Sequence, residues 1–361
     1  MDVLSEVLRV VRLSGAIHFC GEFTQPWAFL STAPRMMAAR LKLPEGSVTQ
    51  FHVCVEGHCW VTPGTLEPIR VEAGDVVIFP RGDQYVMASD PDVAPVPISE
   101  IYPQPMTDRV TTLKHGGGGG LTRFICGYLQ SDQHFDPLLR SLPAVLRVRT
   151  GERGILLETL DRAGQRAHPI DNPGEAEWWQ ASVRYLVSET VQSGPGNRAV
   201  LARLAEALFV EVLRWQFRYA AHGEGWLAGL ADPQIGRVLS LLHALPNRPW
   251  TVNELAAEAA MSRAVLARRF VALVGQSPIQ YLAEWRMHLA RHLLQESTFA
   301  ISEIAERVGY ESEAAFSRAF RRLVGLPPSA WRQNRPPSEP ARSAASGSVP
   351  SPNVRDGTPA S

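Results

Sequence analysis

The chain has 361 residues, enough for two to three domains of roughly 100–200 residues each. Its 36 basic and 36 acidic residues cancel, and four cysteines in so long a chain exclude a disulfide-built scaffold. No apolar run approaches the ~18–20 residues that cross a bilayer, so a cytoplasmic protein without a membrane partner is expected. The zero charge hides an imbalance. Residues 236–335 hold 13 Arg, no Lys and 8 Glu, a net +5, against −5 for residues 1–235. Such asymmetry is expected where only one region faces a polyanion.

The opening MDVLSEVLRVVRLSG carries acids where a signal peptide has a basic stretch, and Leu4, Val7, Leu8 and Val11 follow the spacing of a packed helix. Residues 16–130 read as strands and turns: FHVCVEG (51–57) and DVVIFP (75–80) are short apolar or alternating runs broken by Gly and Pro, favouring an antiparallel barrel or sandwich. Gly116 to Gly120 lack the Lys-Ser or Lys-Thr of a phosphate-cradling loop and read as a flexible loop.

Two spacings in this half look like cupin motifs: Gly46 with His52 and Cys54, then Gly74 with Pro80, Gly82 and Tyr85. In metal-binding cupins positions 52, 54 and 85 would all be His, clustered because alternate strand residues share a face. Only His52 remains, and Tyr85 is a poor ligand for a resting divalent metal, which weighs against metal-dependent chemistry. Cys20 and Cys54 each follow a His by two residues, His18 and His52. They read as buried small hydrophobes, a thiol redox sensor or a zinc site. Arg81, Trp27 and Trp60 fit a pocket for a small anionic or aromatic ligand equally well. Cys20, His52, Cys54, Arg81 and Tyr85 are therefore the effector or redox candidates.

From about 176 the period becomes helical. EAEWWQASVRYLVSET is followed by a Gly-Pro-Gly break at 194–196 and then by RAVLARLAEALFVEVLRWQFRYA. Val200, Leu204, Leu208, Glu211 and Trp215 share a stripe that Leu201 and Val212 widen; it reads as intramolecular core or, alternatively, as a homodimer contact.

The strongest signal is an internal repeat: WTVNELAAEAAMSRAVLARRFVALVGQSPIQY (250–281) returns as FAISEIAERVGYESEAAFSRAFRRLVGLPPSAW (299–331). Each copy has a short amphipathic helix, a tight break with a Ser able to cap the next helix, and a second helix ending at Gly275 or Gly325. Each is therefore predicted to be a helix-turn-helix. The second helices carry Arg263, Arg268 and Arg269, and Arg318, Arg321 and Arg322, among small residues; arginine suits guanine edges and phosphates, and small neighbours let a helix sit deep in a major groove. Residues 278–297 predict one continuous helix joining the units, ~27 Å long against the ~34 Å between successive major-groove faces. The tail 336–361, with 6 Pro and 6 Ser, is expected to be disordered.

These residues, above all VGYESEAAFSRAFRRLVGLPPSAWR (308–332) with RMHLARHLLQES and AISEIAERVGY, resemble the AraC/XylS transcriptional regulators over about 236–335. The resemblance implies a seven-helix DNA-binding domain whose third and sixth helices, about 262–274 and 312–324, enter the groove. Ser262, Arg263, Ala264, Arg268 and Arg269 would then face DNA from the first, and Ser312, Glu313, Ala314, Ser317, Arg318, Arg321 and Arg322 from the second. Arg263 and Arg268 lead as base contacts. Glu313 and Ala314 grip less, so the second unit is expected to work more through phosphates. LEPIRVEAGDVVIFPRGDQYVM (66–87), GGGGG…CGYL (116–129) and DPLLRSLP (136–143) resemble the cupin-type sensor half of some AraC regulators.

The expected fold is α+β: a cupin-like β-barrel as effector-sensing domain (1–143), a helical connector offering a dimer contact (144–230), an all-α tandem helix-turn-helix domain (231–335) and the tail. The expected function is sequence-specific transcription regulation. Its partners would be double-stranded DNA, RNA polymerase and an unknown small-molecule or redox effector, with no cofactor and no catalytic residue. Activation is the family expectation and repression fits equally; the alternative is a metal-dependent cupin enzyme with an attached helical domain.

Overall fold

A computed structural model describes residues 3–11, 14–33, 36–37, 48–102, 110–130, 137–151, 154–191, 195–219 and 225–333; Gly46 and the tail 336–361 lie outside them. Among the described residues, helix α1 (Val3–Val11) leads into thirteen strands: β1 (Ser14–Thr24), β2 (Ala28–Leu30), β3 (Val48–Glu56), β4 (His58–Pro63), β5 (Ile69–Glu72), β6 (Val76–Phe79), β7 (Tyr85–Ala88), β8 (Val96–Pro97), β9 (Thr111–Gly116), β10 (Leu121–Gln130), β11 (Val145–Gly151), β12 (Gly154–Asp161) and β13 (Gly164–Ile170). Short helices α2 (Ile98–Ile101) and α3 (Pro137–Arg140) interrupt them.

The strands form two mixed sheets, one ordered β13-β12-β11-β6-β3-β10-β1-β9 and the other β5-β4-β7-β2-β8. Between them lies an aromatic core of Phe23, Trp27, Phe29, Phe79 and Phe124. The expected barrel is thus an open, cupin-like pair of sheets. The hairpin β12–β13 extends the large sheet beyond β6, and Ile155, Leu157 and Ile170 on it pack into a second core with helices rather than against the small sheet. Strands β11, β12 and β13 lie in the stretch 145–170 that was expected to begin the helical connector. Strand β3 shows why sequence alternation faded here: His52 and Cys54 contribute to the inter-sheet side, Phe51 and Val53 to the helix side, and both sides are buried.

The helical layer is α4 (Pro173–Val191) and α5 (Asn197–Tyr219), separated at the expected Gly-Pro-Gly break. Leu201, Leu208, Val212 and Trp215 are buried as the stripe predicted, with Trp179 of α4 packed on Trp215, whereas Val200 is exposed. Glu211 is buried too, its carboxylate taken up by Arg214 on the same helix.

Eight helices follow: α6 (Trp226–Ala231), α7 (Pro233–Ala244), α8 (Val252–Glu258), α9 (Arg263–Val274), α10 (Pro278–Glu296), α11 (Ile301–Arg307), α12 (Glu313–Val324) and α13 (Pro328–Gln333). The last seven are those the family resemblance implied for 231–335. The core of the first repeat (Leu239, Leu255, Leu266, Phe270, Trp285) is continuous with the helix-side core of the N-terminal half through Val3, Val7, Trp215 and Trp226. The second repeat has its own core of Met287, Leu294, Ile304, Phe316 and Phe320.

One buried polar group carries a pH dependence. Tyr281 accepts a hydrogen bond from Trp226 Nε1 at 2.9 Å and pairs with His243 Nε2 at 2.7 Å, which ties α6 and α7 to α10. Burial lowers the His243 pKa to about 3 from its ordinary 6.5. Above pH 6.5 the imidazole is neutral whether folded or not. Below it the unfolded chain takes a proton that the folded chain refuses, so stability falls by about 2 kcal/mol between pH 6.5 and 5. Urea titrations across that range are expected to show this loss, and His243→Leu to remove most of the slope.

Candidate nucleic-acid interface

Each repeat builds its recognition helix with the same local devices. A capping box starts α8, where Thr251 Oγ1 accepts from Glu254 N at 3.2 Å and Thr251 N donates to Glu254 Oε2 at 2.8 Å. Its end is a Schellman turn: Met261 N bonds Ala256 O at 2.9 Å, Ala260 N bonds Ala257 O at 3.1 Å, and Ala260 sits at φ 52°. The second repeat reproduces this with Tyr310 N to Ala305 O, Gly309 N to Glu306 O, and Gly309 at φ 84°. Ser262 then caps α9, accepting from Val265 N at 3.3 Å, and Ser312 caps α12, accepting from Ala315 N at 3.2 Å.

Aligning the two caps sets the register of the exposed faces. Arg268 and Arg318 occupy the same position, six residues beyond the cap; Arg263 matches Glu313; and Arg269 matches Ala319. Ser262, Arg263, Ala264 and Arg268 are exposed on α9, and Ser312, Glu313, Ala314, Arg318, Arg321 and Arg322 at and along α12, with Ser317 half-buried. Arg269 is different. It is half-buried and turned back onto α7, reaching Asp232 Oδ2 and Gln234 Oε1 at 2.5 Å each. Asp232 is also the N-cap of α7, accepting from Gln234 N and Ile235 N.

The remaining described arginines of this region are engaged as well. Arg237 pairs with Glu258, Arg248 with Glu254 and Arg307 with Glu303; Arg291 lies over the Trp331 ring and Arg332 donates to Phe299 O. Arg286 donates to Pro246 O at 2.6 Å and Arg248 O at 2.9 Å. Among the described residues, Arg263, Arg268, Arg318, Arg321 and Arg322 alone of these arginines form no ion pair, hydrogen bond or ring contact, and all five project from the two recognition helices.

The two faces are held in fixed relation. Helix α10 runs unbroken for 19 residues, ~28 Å, from one unit to the next. The turn of the second unit presses on the first: a Cβ at Gly309 would stand 2.7 Å from Asn247 Cα and 2.8 Å from Arg286 Nη2. Sequence reasoning missed Arg286 and Asn247 as positioning residues, since Arg286 bonds main-chain carbonyls of Pro246 and Arg248, Asn247 acts through its backbone against Gly309, and nothing in their spacing marks them.

The N-terminal candidates do not converge on one site. His52 Nδ1 lies 2.6 Å from Cys126 Sγ, His52 Nε2 lies 2.5 Å from Tyr85 Oη, and Tyr85 donates to Gln50 Oε1 at 2.9 Å, all buried between the sheets. Cys126 was not foreseen; it enters because β10 pairs with β3, setting it opposite His52. Both imidazole nitrogens are thereby taken up within the protein. Cys54 is buried near the Glu56 and Gly57 carbonyls, Trp27 is buried in the aromatic core, and Arg81 is exposed and paired with Asp83 at 3.0 Å. No group of three His, Cys, Asp or Glu suited to a metal occurs among the described residues.

The thiols are the reverse of activated. Burial, reinforced by Glu22, raises the Cys20 pKa to about 11; burial with Asp75 raises Cys54 to about 12; burial pushes Cys59 and Cys126 well up. At pH 7 only on the order of 10⁻⁴ of Cys20 is thiolate, against a few per cent for a free cysteine. Iodoacetamide is therefore expected to label the native chain at least ~100-fold more slowly than the urea-unfolded chain, read by mass spectrometry. Rapid labelling of Cys20 or Cys54 in the native chain would restore the redox-sensor reading.

A cupin-type half packed onto two helix-turn-helix units that each present bare arginines, Arg268 and Arg318 at the same position, defines a DNA-binding transcription regulator. A cupin family model matches residues 2–167 and 156–218, and a helix-turn-helix domain model matches residues 255–334. A putative AraC-like transcription regulator of Streptomyces lividans is 32% identical over 336 residues, 92% of this chain and 99% of that protein. The HTH-type transcriptional regulator AlkR of Acinetobacter baylyi is 28% identical over 92% of this chain and 99% of its own length. The solved DNA-binding domain of AdpA in complex with a target DNA is 38% identical over 28% of this chain and 91% of that chain, with a TM-score of 0.27. The chain belongs to the AraC-like transcription regulators. Its relatives' role is regulation rather than catalysis, and no helix among the described residues is long and apolar enough to cross a membrane.

Proposed function

We propose that one chain grips a single DNA duplex with α9 and α12 in successive major grooves, acting in the cytoplasm as a sequence-specific regulator whose N-terminal half sets its activity. The observation that carries this reading is the set of five arginines, bare on the two recognition helices while the other described arginines around them are engaged. Arg263 and Arg268, with Ser262 and Ala264, supply the base-reading edge. Ser312, Glu313, Ala314, Ser317, Arg318, Arg321 and Arg322 form a second face in which phosphate contacts dominate. Arg269 acts on DNA only indirectly, by holding α9 to the α7 cap.

The N-terminal half passes a signal through the core it shares with the first repeat. Activation through RNA polymerase, and pairing of two copies through α4 and α5, are the family-level extension of this reading. The test is retention of genomic fragments by the purified chain from low to physiological salt with competitor DNA. A discrete fragment held at physiological salt is the expected result. Uniform loss of all fragments with salt would leave only a basic surface and overturn sequence-specific reading.

A further inference from the structure

A cleft of about 600 Å³ opens where the large sheet, α5 and α6 meet. Three guanidiniums line it, from Arg81, Arg140 and Arg166, against one carboxylate of the wall, Asp161, and that of Asp83, which pairs with Arg81. Arg166 is exposed and forms no ion pair with another described residue. His168, also in the wall, is held toward its neutral form by burial and by the charge of Arg166. The cleft therefore presents an excess of positive charge in a concave site, an arrangement suited to bidentate capture of a carboxylate.

The rest of the wall is mixed, with Ser141, Thr159 and Gln216 beside an apolar side. Leu142, Pro143 and Leu227 line it, together with the Tyr219 ring, which stacks on His168 at 4.3 Å and 11°. Gln216 Oε1, in the same wall, is buried with no hydrogen-bond partner among the described residues.

We infer that this cleft, outside the space between the sheets, binds a small organic anion: a carboxylate on an aromatic body, held by Arg81, Arg140 and Arg166. This deepens, and rests on, the reading that the N-terminal half controls DNA binding. The route to DNA is short. Gly225, on the rim at φ 97°, comes so close to the sensor half that a Cβ there would stand 2.7 Å from Ser141 Cβ. Helix α6 begins at the next residue, contributes Leu227 to the cleft, and packs through Gly229 against Leu273 and Val274 of recognition helix α9. A ligand bridging β13 and α6 biases the arrangement of α6 relative to the sheet and, through it, α9.

The test is calorimetric titration of the full-length chain with 1-naphthoate, without DNA, at low salt. Saturable one-to-one binding is expected, with Kd on the order of 1 mM for so small a probe. It should weaken at least ~10-fold in Arg166→Ala and in Arg81→Ala, and be unchanged in Arg263→Ala, which removes a DNA-facing charge only. No saturation at about ten times that Kd, equal binding by Arg166→Ala, or equal binding of the uncharged 1-naphthamide would each overturn the proposal. Retention of a DNA fragment by the same samples, measured separately, reports on the regulator reading, so either can fail without the other.

Discussion

Asp75→Ala is expected to cost about 3–5 kcal/mol of stability, because it strips one partner from a buried ion cluster. Asp75 Oδ2 accepts from Arg147 Nη2 at 2.6 Å and Nε at 3.1 Å, and from Glu72 N at 2.9 Å, while Asp75 Oδ1 accepts from Thr150 N at 3.4 Å. Arg147 also reaches Glu158 at 3.2 Å, so one guanidinium on β11 joins the residue entering β6, on one side in the sheet, to β12 on the other. Arg147, Asp75 and Glu158 are 7%, 1% and 6% exposed, so water cannot replace what the substitution removes. Two backbone N–H groups lose their acceptor as well. Asp75→Asn should be milder, since its amide oxygen still accepts although the charge is gone. Urea titration followed by circular dichroism checks both, and a loss under ~1 kcal/mol for Asp75→Ala would mean the cluster contributes no net stability.

Arg263→Ala together with Arg318→Ala is expected to weaken binding to the specific fragment by about 2–6 kcal/mol, the sum of ~1–3 kcal/mol from each of two separated contacts. The two should act differently. Arg263→Ala is expected to lose affinity for the specific fragment more than for random DNA. Arg318→Ala should weaken both alike and lower the slope of log K against log salt by about 1. Fluorescence anisotropy at several salt concentrations separates these effects. Equal losses on specific and random DNA for Arg263→Ala would make it a phosphate contact, leaving the base reading to Arg268. Both side chains are exposed and unpaired, so neither change should alter the urea midpoint, which distinguishes a lost contact from a lost fold.

The helix-turn-helix half was legible because its devices are local. Capping serines, Schellman turns, the stripe of Leu266, Phe270 and Phe316, and terminal glycines are all set within a dozen residues. The cupin-type half was legible only as strands. Whether its sheet closes depends on which strands pair across the molecule, and β12 and β13, buried on one face against α4 and α5, resemble helix-connecting sequence in their polar residues.

By itself, then, the sequence determined that the chain carries two helix-turn-helix units in register, joined by one helix, beside a strand-rich half lacking the metal-binding histidines. Tertiary structure alone decided which charges are available. Arg268 and Arg269 are neighbours in the chain and indistinguishable by composition, yet one is bare and the other is bound to Asp232, 37 residues away. His52 and Cys126, 74 residues apart, meet only through the pairing of β3 with β10. The physical reason is common to both. Hydrogen bonding and periodicity act within a few turns and are written locally, whereas ion pairs and buried polar contacts depend on packing between distant segments, where the alternatives differ by single residues and the sequence records no distance.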